Sequence, residues 1–128
     1  MTIVEGNLDR ISAEIGFDLS DEFKEKSEKE KKELEGIITK VLGILIEDGL
    51  FAYAIWLESE NKEPHKAIIS SSLKLLKDID LIPDNQNDLR NAILKNISDS
   101  VQKTLLARQV LEKMLVYAKY RAKALQKG

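Results

Sequence analysis

Apolar residues recur at three- and four-residue spacing along nearly the whole chain, and nowhere do they alternate with polar ones over the length of a strand. A 3.6-residue period gathers such residues on one side of a helix, whereas a half-buried strand needs a period of two. β-branched residues do not cluster between turn signals either. The expected fold is therefore all-α, a single-domain bundle of five or six helices. The 128 residues suit one domain, and 43% hydrophobic residues are enough to fill its core. Residues 1–128 are expected to form that domain, with roughly 1–18 a short helix or arm.

The first helix is expected near Ile3–Ile15, with Leu8, Ile11 and Ile15 on one face and Gly16 ending it. Leu19-Ser20-Asp21-Glu22 reads as an N-cap serine followed by acids, which the helix dipole favours in a first turn. The helix so opened, about Asp21–Glu47, has two halves. Asp21–Glu33 is almost wholly charged, apolar only at Phe23, and is expected to project into solvent or toward a partner. Leu34–Ile46 carries Leu34, Ile37, Ile38, Val41, Leu42, Leu45 and Ile46 at core spacing. Gly36 and Gly43 each cost about 1 kcal/mol relative to Ala in a helix interior, which points either to close packing against a neighbour or to tolerated exceptions.

Asp48-Gly49 breaks this helix, and Leu50–Glu58 follows as a short one that is apolar nearly all round. Such a helix belongs at the buried centre, with Tyr53 and Trp56 in the core. Pro64 suits the opening of a helix at His65–Ile79, and Asp80–Asn87 is a loop. Asn96, Ser98 and Asp99 then divide a helix at Leu89–Ile97 from a long one at Asp99–Leu125. On the long helix Val101, Leu105, Leu115, Ala118, Ala122 and Leu125 form one apolar stripe. Leu106, Val110, Met114 and Tyr117 form its neighbour.

Catalytic candidates fail one by one. The chain has no cysteine and one histidine. Nucleophilic triads, zinc sites and carboxylate-bridged di-iron helices all need more of one or the other at fixed spacings. His65, beside Pro64 at a helix start, reads as a surface residue or a cap. No Gly-Lys-Ser/Thr follows a glycine-rich loop, so a phosphate cradle is missing. The carboxylates of Asp78–Asp88 hold Leu81 and Pro83 where a calcium loop needs a ligand and a glycine, so they read as loop and cap residues. Those of Asp21–Glu35 interleave with lysines as a solvated face. No catalytic residue, metal ligand or cofactor is expected, and the chain is not expected to be an enzyme. The lack of cysteine favours a reducing compartment. The N-terminal residues lack a basic region followed by an apolar run, and Leu50–Leu57 is far short of a membrane span. A soluble cytoplasmic protein is expected.

Net charge is −2, but it is unevenly placed. Residues 1–60 hold 15 acids against 7 bases, and residues 101–128 hold 7 bases against Glu112 alone. Such polarity suits head-to-tail self-association or a basic surface for a polyanion. Lys113, Lys119, Arg121 and Lys123 on the last helix are the candidate phosphate contacts, with Tyr117 and Tyr120 among them. Arg108 lies nearer the apolar face. The bland alternative is that these bases complement the helix dipole and keep the chain soluble.

Two segments carry a resemblance. Gly49-Leu50 ends one helix and opens an apolar one bearing Ala54, Trp56, Leu57 and Ser59, and Tyr117-Ala118-Lys119-Tyr120-Arg121-Ala122 with Leu125 closes the chain. In both, the chain resembles the small α-helical subunit of the Cmr module, the type III-B CRISPR RNA-silencing effector. The order of elements is similar over about Glu30–Leu125. The resemblance implies a non-catalytic subunit whose copies stack beside the backbone subunits and line the channel holding guide and target RNA. Cleavage would belong to another subunit. The small subunits of type III-A and type I effectors are also helical and similarly sized. A rival reading, from the residues alone, is a protein–protein adaptor that docks a partner on Asp21–Glu33 and has no nucleic-acid role.

Overall fold

A computed structural model describes residues 5–127, with side chains from residue 7 onward. Its six helices form an all-α bundle in one small domain. They are α1 (Glu5–Asp21), α2 (Glu28–Asp48), α3 (Leu50–Glu60), α4 (Glu63–Asp78), α5 (Leu89–Ala92) and α6 (Val101–Leu125), with α5 running on through a π-helical turn at Ile93–Ile97. No described helix is long and apolar enough to cross a membrane.

The helix starts follow from side chains that satisfy otherwise unpaired backbone N–H groups. Ser27 caps α2 as a full capping box: its hydroxyl accepts from the Glu30 N–H at 3.1 Å, and Glu30 reaches back to the Ser27 N–H. Asp88 caps α5 by accepting from the Asn91 N–H, and Ser100 caps α6 by accepting from the Lys103 N–H. Pro64 sits in the first turn of α4, where no intrahelical donor is needed. Between α2 and α3 the chain turns on Gly49 alone, at φ 97°, a left-handed conformation that a side chain rarely tolerates.

α6 is the axis of the bundle, with α1 along one side and α2 along another. Its inward face is Ala107, Val110, Leu111, Met114, Leu115, Ala118 and Ala122. The α1 contact is close because Gly16 stands where a Cβ would strike the Met114 carbonyl and approach the Ala118 nitrogen at 3.0 Å. Gly16 therefore seats one helix on another and does not terminate α1, which continues to Asp21. Ser20 helps the same contact, donating from its buried hydroxyl to the Ala118 carbonyl at 2.6 Å. It is not an N-cap.

Other expectations are corrected by the same packing. The charged stretch Asp21–Glu33 is largely exposed, as expected, but is not one half-helix. Residues 22–27 form a turn that buries Phe23, and α2 begins at Glu28, alongside the end of α6. There the buried Lys31 ammonium donates to the Leu125 carbonyl at 3.3 Å and pairs with Glu28 at 3.1 Å. Gly36 and Gly43 have no neighbouring atom within 4 Å of a built Cβ, so they are not close-packing sites. On α2 the core takes Leu34, Ile38, Val41 and Leu45, while Ile46 is exposed. Val101 and Leu105, expected in the core stripe of the last helix, are 76% and 59% exposed. Ile3, placed in the expected first helix, lies outside the described residues.

α3 is buried on one side only. Leu50, Tyr53, Ala54 and Leu57 enter the core, where the Tyr53 hydroxyl lies 2.6 Å from that of Ser72. Ser72 gives its own proton to the Ile68 carbonyl at 2.7 Å, so Tyr53 is the donor of the pair. Burial holds the Tyr53 phenol well above its usual pKa. The opposite side of α3 presents Phe51 and Ile55, 41% and 44% exposed.

Candidate nucleic-acid interface

The four bases singled out on α6 do not form one stripe. At 100° per residue, Lys113 and Arg121 fall on one flank of its outer face and Lys119 and Lys123 on the other, the two pairs roughly 140° apart. The first flank faces α1. Lys113 pairs with Asp9 at 3.2 Å, and the Tyr117 hydroxyl donates to the same carboxylate at 2.9 Å. The Tyr117 bond and then Lys113 hold the Asp9 carboxyl below its ordinary value, and the same bond raises the Tyr117 phenol. Arg121 donates to Asp21 at 2.7 Å and lies over the Phe17 ring at 5.9 Å. Phe17 in turn meets Tyr117 edge-on at 6.3 Å. Lys113 and Arg121 thus neutralise acids of the neighbouring helix.

The second flank is more open. Lys123 is 4.0 Å from Glu35, at the limit of an ion pair, and Glu35 already accepts from the Gln126 amide at 2.8 Å. Lys119 has no ion-pair partner among the described residues. Beside Lys123, toward the first flank, stands Tyr120, 64% exposed, with Val116 one turn earlier. Lys123 and Tyr120 are exposed and Lys119 is half-buried, so of the expected phosphate contacts Lys119 and Lys123 are the two not committed to α1. An exposed aromatic beside two cations can stack on a base while the cations meet the backbone.

His65 is 2% exposed, contrary to the surface position expected of it. Its ring packs on Trp56 at 5.0 Å, and its Nδ1 has no hydrogen-bond partner. Burial lowers its pKa. Trp56 itself is only partly covered. It belongs to an open apolar groove of about 530 Å³ between α2 and α3, lined chiefly by Ile44, Asp48, Phe51, Ile55 and Trp56. Sequence reasoning missed this groove, although a signal was present. A helix apolar on every side cannot be covered on every side in a domain this small.

Among the described residues no three His, Cys, Asp or Glu side chains gather as a metal site. The loop carboxylates serve local structure: Asp78 pairs with Lys74 at 3.3 Å and Asp88 caps α5. Fold and surface together define a class, an all-α bundle with a cationic, aromatic strip on its last helix and an apolar groove elsewhere. In comparisons with protein-family models, curated proteins and solved structures, nothing matches the chain.

Proposed function

We propose that this protein is the small, non-catalytic α-helical subunit of a type III-B (Cmr) RNA-guided effector in the cytoplasm. It contacts the backbone of guide and target RNA without sequence preference and associates with the other protein subunits of the complex. The equivalent small subunits of type III-A and type I effectors would serve the same role. The observation that carries the reading is the group Lys119, Tyr120 and Lys123 on α6: Lys119 is half-buried but has no ion-pair partner among the described residues, Lys123 is exposed and only loosely paired, and Tyr120 is an exposed stacking surface beside them. It lies within one of the two segments on which the resemblance rests. The other segment makes the Gly49 turn and the buried side of α3, so both have defined structural work.

The contact set is narrower than the sequence suggested. Lys119 and Lys123 are the phosphate contacts, while Lys113 and Arg121 act mainly in holding α1 to α6. Binding of labelled single-stranded RNA, followed by fluorescence anisotropy at low salt, tests this. K119E/K123E should lose binding at least about tenfold with unchanged helicity, since each lost phosphate contact removes counterion release. K113E and R121E should lower the melting temperature instead. RNA affinity unchanged in the double variant would remove the reading. The adaptor reading, a protein-binding helical bundle with no nucleic-acid role, would then take over. Its support is that Lys113 and Arg121 are already paired, together with the apolar groove on α2 and α3.

A further inference from the structure

The α2–α3 groove lies away from the cationic residues of α6. Its walls are Ile44 on α2 and Phe51, Ile55 and Trp56 on α3, with Ala52 leaving depth between them. Two of these walls are more than 40% exposed, which is unusual for adjacent large apolar residues on one helix of a lone domain. The groove is long enough in sequence terms for two to three turns of a partner helix, because its ends are Asp48 at the Gly49 turn and Ser59 near the end of α3.

Charge says what kind of helix fits. Asp48 lines the groove, Glu47 precedes it on the solvent side of α2, and Glu60 lies one turn beyond Trp56. None of these carboxylates has an ion-pair partner among the described residues. The bases nearby are Lys40, one turn before Ile44, Arg108, which donates to the Ile46 carbonyl at 3.1 Å and pairs with Glu112, and Lys62, two residues after Glu60. Of the residues that line the groove itself, Asp48 alone is charged, so a carboxylate without an ion-pair partner stands on an apolar floor. Gly43, next to Ile44, leaves open space where a side chain would stand, so a partner backbone can come close to α2 there.

We infer that the groove between α2 and α3 is a docking site for a basic amphipathic helix of a partner protein. Bulky apolar residues at i, i+3, i+4 and i+7 would enter beside Phe51, Ile55 and Trp56, and flanking lysines or arginines would meet Asp48, Glu47 and Glu60. The inference rests on the groove alone and holds whether or not α6 binds RNA.

Trp56 is the sole tryptophan, so its emission reports on the groove directly. The probe is an 18-residue amphipathic peptide of leucine and lysine, compared with the same peptide carrying glutamate for every lysine. The lysine peptide should shift Trp56 emission and bind at least about tenfold more tightly than the glutamate peptide, a difference expected of charge complementarity at a partly desolvated rim. D48K should erase most of that preference. I55E, at an exposed position that leaves helicity intact, should abolish the emission shift and weaken binding about tenfold or more. Equal affinity for the two peptides, or an I55E protein that still binds, overturns the inference. Concentration-dependent self-association that I55E removes would assign the groove to a second copy, and quenching of Trp56 by RNA would assign it to nucleic acid. Either outcome also overturns it, and neither bears on the K119E/K123E result.

Discussion

Gly16 is the position at which one methyl group should most clearly separate this packing from an ordinary helical bundle. In an exposed helix interior Gly→Ala stabilises by about 1 kcal/mol, because alanine has less backbone entropy to lose. At Gly16 the added Cβ strikes the Met114 carbonyl and lies 3.0 Å from the Ala118 nitrogen and 3.2 Å from the Tyr117 Cβ. Two of these obstacles are backbone and cannot rotate aside. Relief requires lifting α1 from α6, which strains the buried Ser20 bond to Ala118 and loosens Ile15 and Leu19. Overpacking costs about 1–3 kcal/mol, and a clash against two backbone groups falls at the upper end, about 2–3 kcal/mol, so subtracting the gain of about 1 kcal/mol leaves G16A destabilised by about 1–2 kcal/mol. G36A and G43A carry the same chemistry into open space, so each should stabilise by about 0.5–1 kcal/mol. Urea unfolding followed by circular dichroism at 222 nm reads all three. With a urea slope of about 2 kcal/mol/M, the G16A midpoint should fall by about 0.5–1 M while the other two rise. A G16A protein as stable as wild type, or more stable, would refute the reasoning.

Three further outcomes follow from particular contacts. Ser27→Ala removes the capping box of α2 and should cost about 1 kcal/mol in the same urea assay, whereas Ser20→Ala should act through the α1–α6 contact and leave the start of α2 intact. His65 is held neutral by burial, so its folded pKa lies below the ordinary 6.5 and the unfolded chain binds the proton more readily. Its contribution is thus complete above about pH 6.5 and is lost as pH falls through that value toward the lower folded one. H65F should flatten the pH dependence of the unfolding midpoint over this window. Tyr117→Phe removes the first cause of the depressed Asp9 pKa, so the carboxyl should titrate closer to the ordinary 3.8 when followed by NMR.

The helices themselves were legible because burial imposes a period, and the period survives in the residues of α2, α4 and α6. What the chain does not display locally is which candidate signal is used. Ser20 and Ser27 both precede acids. Ser27 is the cap because Leu19 and Phe23 are buried and Ser20 is bonded to α6, which ties residues 19–23 to the bundle. Gly16 resembled a terminator since glycine weakens helices, yet the need for close approach outweighed that weakness. The exposed side of α3 could not be assigned from its own residues, because an all-apolar helix has no polar face to mark where cover ends. For the candidate site the basic residue types were visible, but their neutralisation was not. Asp9 and Asp21 stand about a hundred positions from Lys113 and Arg121, and only the docking of α1 brings them together. Lys119 stays unpaired among the described residues and Lys123 only loosely paired because α1, with its Asp9 and Asp21, docks on the other flank.

The central claim is an electrostatic contact with RNA through Lys119 and Lys123, and the dependence of affinity on salt measures it most directly. For single-stranded RNA each phosphate contact contributes a slope of about −0.7 in log affinity against log salt, so K119A/K123A should flatten the wild-type line by about 1.4. A slope equal to that of the wild-type protein would show that these lysines touch no phosphate, and would contradict the account.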